Sequence, residues 1–145
     1  MVSFRSLEVH ATHAKGGRAR SGAMIPLWNE REGRGLVPRM VYATTCLPGK
    51  VKGPYRHSRR RGLLSILRGR VAFVYRAGGR FRERVLDSRR PLLVDIPPRL
   101  VYCIVGLGKE ESLLVNMCDY AWRKGDGESS EPDFGAYDFA KWSGK

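Results

Sequence analysis

The side chains best suited to chemistry gather between Pro48 and Gly69. Lys50, Lys52, Arg56, Arg59, Arg60 and Arg61 bring six cations, Tyr55 a phenol, and His57 the only imidazole outside the N-terminal segment. Pro48-Gly49 and Gly53-Pro54 punctuate the stretch as turns. It therefore reads as a rigid loop at the mouth of a β-barrel, pointing donors and a ring into a pocket. If the chain is extended there, Tyr55 and His57 share one face, being two residues apart. Either is a candidate general base. A phenol with a pKa near 10 needs a neighbouring cation to act as one at neutral pH, and Lys52 and Arg56 are the candidates for that.

The elements around this stretch read as strands. Met40–Cys46 is rich in β-formers and stops at Leu47-Pro48-Gly49. Leu63–Leu67 forms the next strand, and Arg70–Arg76 puts Val71, Phe73 and Tyr75 on one face. Ala77-Gly78-Gly79 makes a hairpin turn into Phe81–Leu86, whose Arg80, Arg82 and Arg84 read as exterior. Pro91–Ile96, Leu100–Val105 and Ser112–Cys118 follow, with Gly106-Leu107-Gly108 expected as a turn. Short strands split by Gly/Pro turns, with no convincing amphipathic helix, indicate an all-β antiparallel sandwich or barrel. Phe134, Tyr137, Phe139 and Trp142 are placed to dock the tail on it. Residues 1–23 show little periodicity and read as a flexible basic arm, with the domain proper at 24–145 and a mixed-charge turn at Glu30 to Arg34.

With 145 residues, one core needs no disulfide or metal. No run of eighteen apolar residues offers a transmembrane span. Cys46, Cys103 and Cys118 lack metal-ligand spacing and fit a reducing cytoplasm, and His10 with His13 lacks a third ligand. Residues 1–100 carry a formal charge of +16 and residues 101–145 one of −3, with 20 arginines against 7 lysines. Such a balance points to an anionic partner: nucleic acid, a membrane surface or a phosphorylated small molecule. The basic residues are scattered and no aromatic stacking pattern interleaves them, which disfavours nucleic acid.

The order Pro48-Gly49, Lys52-Gly53-Pro54-x-x-His57, Gly69, Ile96-Pro97-Pro98 and Val115-Asn116-Met117 resembles the cupins of the dTDP-4-dehydrorhamnose 3,5-epimerase type. Their short relatives read P-G-x-x-K-G-P-H-x-H at the centre. Asp119-Tyr120-Ala121-Trp122, an acidic stretch and Tyr137-Asp138-Phe139 are similar to their tail, so the resemblance spans residues 24–142. It implies a jelly-roll barrel, a homodimer and a pocket for a nucleotide-diphosphate sugar, with no cofactor. It also implies proton abstraction beside the C4 ketone of a dTDP-4-keto-6-deoxyhexose. In that family the first histidine of the central motif is the base, and this chain has Tyr55 there. The resemblance thus leaves His57 or Tyr55 as base, Tyr120 as opposing acid, and Lys52, Arg56, Arg59, Arg61 and Tyr102 for substrate.

A metal cupin is disfavoured. Its first motif would offer two histidines and a carboxylate, where this one has His57 and three arginines, and Tyr102 stands where the second motif often has histidine. Other readings stay open. Tyr55 and Tyr102 serve equally as pocket-lining aromatics, Tyr120 and Trp122 as hydrophobic closure, and Arg59–Arg61 as a solvated run. Loss of the usual histidine also favours a non-catalytic cupin that binds an anionic small molecule.

Overall fold

The computed structural model describes residues 1–32 and 35–145. It contains twelve strands: β1 (Ser3–Ser6), β2 (His10–His13), β3 (Arg20–Met24), β4 (Met40–Cys46), β5 (Val51–His57), β6 (Gly62–Arg68), β7 (Arg70–Ala77), β8 (Arg80–Asp87), β9 (Leu92–Ile96), β10 (Tyr102–Leu107), β11 (Ser112–Cys118) and β12 (Ser129–Ser130). Two short 3₁₀ turns, Glu30–Glu32 and Phe139–Trp142, are the only helical pieces among the described residues. Gly33 and Arg34, the end of the expected mixed-charge turn, lie outside them.

Two five-stranded antiparallel sheets, ordered β1-β9-β6-β11-β4 and β12-β5-β10-β7-β8, face each other as a jelly roll. Period-two alternation explains the layering. Leu64, Ile66, Val71, Phe73, Leu86, Val94, Ile104 and Leu114 point between the sheets and form the central core. Burial of each large member contributes about 1.5–3 kcal/mol. The opposite faces are covered too. Phe134, Tyr137, Phe139 and Trp142 lie over Ala72, Val74, Cys103, Val105 and Leu107. Leu7, Ile25, Leu27, Trp28 and Leu36 lie over Leu63, Leu93 and Met117.

Three expectations are corrected. The segment read as a central loop is β5, paired with β10 along the second sheet, and only Leu47–Lys50 and Ser58–Arg61 turn. Residues 1–23, read as a loose arm, hold β1, which pairs with β9, and the exposed β2–β3 hairpin. Gly106 and Leu107 lie within β10 rather than in a turn. Gly106 serves close approach: its amide donates to the Lys50 carbonyl at 2.9 Å, and a Cβ there would collide with the Leu47 carbonyl.

That contact gives a test. Gly106→Ala should destabilise the fold by about 2–3 kcal/mol through overpacking. Gly78→Ala, with nothing near its added Cβ, should cost only the left-handed backbone, about 1 kcal/mol. Urea denaturation of the two variants checks the difference.

Candidate functional site

A cavity of about 440 Å³ opens between the sheets. Its lining is assembled from several elements: Tyr42 and Thr44 from β4, Lys52, Tyr55 and His57 from β5, Tyr102 and Ile104 from β10, Asn116 from β11, Arg60 from the β5–β6 turn, and Trp122, Ser129, Ser130 and Glu131 from the tail. The sequence explains the β5 contribution. Tyr102 pairs with Tyr55 and Ile104 with Lys52, so β5 carries one extra residue between those points, a β-bulge. Gly53 supplies it. Its φ is +100°, and a Cβ there would stand 2.9 Å from the Tyr102 carbonyl oxygen. Without the bulge, Lys52 and Tyr55 would face opposite ways. With it, Lys52, Tyr55 and His57 all face the cavity.

His57 is buried, and β12 runs alongside it, Ser129 opposite His57. Its Nδ1 lies 3.0 Å from Ser129 Oγ and 3.3 Å from Glu128 Oε2. Nε2 lies 3.3 Å from the Tyr102 hydroxyl and 2.7 Å from Arg60 Nη2. Glu128, only 3% exposed, accepts the Arg60 amide at 2.9 Å and the Arg59 amide at 3.3 Å. Burial and the Arg60 cation push the His57 pKa down, Glu128 opposing them, so the ring is neutral at pH 7. Against the cost of its own burial, Glu128 is held below the ordinary carboxyl value by the Arg60 and Arg59 amides, then by His57 and the Arg60 guanidinium.

The two candidate-lining phenols behave alike. Burial raises the pKa of Tyr55 and, more strongly, that of Tyr102. Depression of Tyr55 by Lys52 or Arg56 is therefore not found: Arg56 points outward, and Lys52 Nζ is engaged by Thr44 Oγ1 and by the Thr45 carbonyl at 3.0 Å. Tyr55 is therefore un-ionised at neutral pH.

Of the residues singled out from sequence, the cavity collects His57, Tyr55, Lys52 and Tyr102. Arg56, Arg59, Arg61 and Tyr120 do not line it. Arg56 alternates away from its β5 neighbours. Arg59 is exposed, its guanidinium 6.0 Å from the Tyr120 ring centre. Arg61 makes a two-point pair with Asp95 at 2.8 and 2.6 Å. Trp122, two residues beyond Tyr120, stands at the mouth instead. Sequence reasoning missed Glu128, Tyr42 and Asn116 and did not separate Arg60 from its neighbours. Among the described residues, no three His, Cys, Asp or Glu side chains group to hold a metal, and no helix is long and apolar enough to cross a membrane.

The His57 environment can be tested by titration. By NMR the ring should titrate below 6.5, lower still in Glu128→Gln and higher in Arg60→Met. A histidine depressed on folding binds its proton more readily in the unfolded chain, so its stabilisation is present above 6.5 and is lost as pH falls toward the folded value. A second loss begins below 4.5 as Glu128 takes up its proton. Denaturant midpoints measured against pH should show both steps, and His57→Asn should lack the first.

No protein-family model and no curated protein sequence matches the chain. Solved structures do. A dTDP sugar isomerase from Desulfovibrio desulfuricans G20 aligns over 99% of this chain and 95% of its own, at 23% identity and a TM-score of 0.82. The sugar 3,4-ketoisomerase QdtA from Thermoanaerobacterium thermosaccharolyticum, solved with TDP, aligns over 89% and 86%, at 14% identity and a TM-score of 0.70. The RmlC epimerase of Mycobacterium tuberculosis aligns over 90% and 68%, at 14% identity and a TM-score of 0.73. Identities this low carry the architecture and not the chemistry, and on that footing the chain has the jelly-roll fold of the RmlC-like cupins.

Proposed function

We propose that this chain is a nucleotide-sugar isomerase or epimerase that removes a proton beside the C4 ketone of a 4-keto hexose, of which a dTDP-4-keto-6-deoxyhexose is the type. The observation that carries the reading is the buried His57–Glu128 pair, whose ring lines the cavity. A ketone acidifies its neighbouring C–H bonds, so the reaction needs a neutral base, a donor for the enolate oxygen and an acid on the other face. His57, uncharged at pH 7 with Nδ1 turned to Glu128, is the base, and the carboxylate stabilises the imidazolium that forms. The Tyr102 hydroxyl is the donor to the enolate. Tyr55, un-ionised on the same wall as His57, can return a proton to the face that the base attacks, which suits isomerisation rather than inversion. No cofactor enters this scheme.

One contact favours a second reading. Arg60 Nη2 stands 2.7 Å from His57 Nε2 and 3.1 Å from Nδ1, a cation held against the ring that would act as the base. A cavity so arranged suits a non-catalytic cupin that binds an anionic small molecule. Nucleic acid stays outside both readings. Among the described residues the arginines other than Arg60 and the partly exposed Arg61 and Arg70 are exposed and spread over many strands. Three free, buried cysteines support a reducing, cytoplasmic setting.

The proposal includes a homodimer, supported by the unpaired outer edges of β1 and β8. On β8 the exposed side of the strand carries Phe81 and Val85, 36% and 39% accessible, and an open apolar edge invites pairing. Light scattering should return twice the chain mass, and Val85→Lys should shift it toward one copy.

Incubation with dTDP-4-keto-6-deoxyglucose in heavy water tests the chemistry. Loss of the C3 or C5 proton signal is expected, slowed about 10²–10⁴-fold in His57→Asn and Glu128→Gln. Tyr55→Phe should still exchange protons while forming isomer more slowly. Ligand broadening without exchange would move the assignment to the binding cupin.

A further inference from the structure

Arg60 is the one arginine buried among the described residues, 6% exposed. Its guanidinium lies on the cavity wall between two uncharged rings. The Tyr42 ring centre is 5.7 Å away, and the two His57 nitrogens are 2.7 and 3.1 Å from Nη2. Arginines elsewhere in this protein find a carboxylate fork, as Arg61 does with Asp95 and Arg89 with Asp87. Arg60 does not. The nearest carboxylate oxygen, Glu128 Oε2, is 3.9 Å from its Nε, and that Nε has no hydrogen-bond partner. Glu128 turns its other oxygen to the Arg59 and Arg60 amides. With Nη2 against His57 and Nε unpartnered, this buried guanidinium is incompletely paired, which is costly, and an oxyanion at its cavity side relieves that cost.

The walls beside it offer further donors. Tyr42 accepts from Asn116 Nδ2 at 2.9 Å, which leaves its own proton to give, and Tyr102 is likewise un-ionised. The acid at the mouth, Glu131, is exposed.

We propose that Arg60, flanked by the hydroxyls of Tyr42 and Tyr102, is the seat for a carboxylate on the ligand, so that the molecule entering this cavity is an acidic one. The inference rests on the cavity being the ligand pocket, which both functional readings share. Under the first it makes the hexose a sugar acid in place of the 6-deoxyhexose taken there as the type. Under the second it narrows an anion to an oxyanion that a guanidinium fork fits, of which the carboxylate is the case proposed and the phosphate of dTDP the alternative that the test separates.

NMR on the full chain tests the seat, following the Arg60 Nε–H and the His57 ring while sodium glucuronate, glucose and dTDP are titrated separately. Glucuronate should shift both resonances saturably and glucose should shift neither. Arg60→Met should weaken glucuronate about 10- to 100-fold, judged on His57. Arg60→Lys, which keeps the charge and loses the fork, should retain part of the affinity and serves if the methionine variant does not fold. Equal response to glucuronate and glucose, no response to either, or glucuronate affinity unchanged in the substituted chains would overturn the seat. In those cases dTDP binding would still leave the nucleotide-sugar reading standing. Glucuronate binding without dTDP binding would keep the seat and remove the nucleotide from the functional reading.

Discussion

A carboxylate removed from water must be saturated with hydrogen bonds or it unfolds what surrounds it. Glu128 is such a group, and the site depends on how it is saturated. Two of its donors are the backbone amides of Arg59 and Arg60 in the turn after β5. Others are Ser129 Oγ at 3.2 Å and His57 Nδ1 at 3.3 Å. One side chain from the tail therefore holds the β5–β6 turn, the ring at the end of β5, and the short strand that lies beside it. This fixes which arginine of the run enters the cavity. With both amides turned to Glu128, the turn is held so that the Arg60 side chain lines the cavity, while Arg59 faces solvent and Arg61 reaches Asp95 on the other sheet.

Much of the fold was legible because most strands obey one local rule. In β7, Val71, Phe73 and Tyr75 alternate with Ala72 and Val74, and the alternation suffices to orient the strand. β5 defeated that rule. Its Lys-Gly-Pro sequence has the composition of a turn, yet it is a bulged strand whose extra residue re-aims Lys52. The first 24 residues failed for another reason. β1, β2 and β3 are almost wholly exposed, so no apolar period marks them. Gly106 misled because glycine signals both a reversal and a close approach, and only the partner, the Leu47 carbonyl, tells which.

The candidate site was legible where it lies on strands and opaque where it lies on turns. Period two places Tyr55 with His57 and excludes Arg56. Nothing local distinguishes Arg60 from Arg59 and Arg61, since the distinction comes from a carboxylate 68 residues away. Glu128 itself sits in a polar, glycine-containing segment that reads as solvated tail. Trp122 in place of Tyr120 is a two-residue slip after β11 ends, where no period constrains the chain. A bridge between distant segments leaves no spacing in the sequence to detect.

Net charge proved a poor guide to the pocket. The basic excess of residues 1–100 is spread over the exterior, and the cavity holds only Lys52 and Arg60 as cations. Lys52 is already engaged by Thr44 and Thr45. The local electrostatics reduce to Arg60, Glu128 and the burial of the ring between them. Burial and Arg60 lower the proton affinity of His57, while Glu128 raises it. Negative charge arriving beside Arg60, whether a bound carboxylate or an enolate forming in place, offsets the cation and leaves only burial opposing Glu128. The imidazole then becomes a stronger base as the anion appears. The contact that weakens His57 thus couples its basicity to whatever anion enters the cavity, and a cation stacked on a base is compatible with proton transfer.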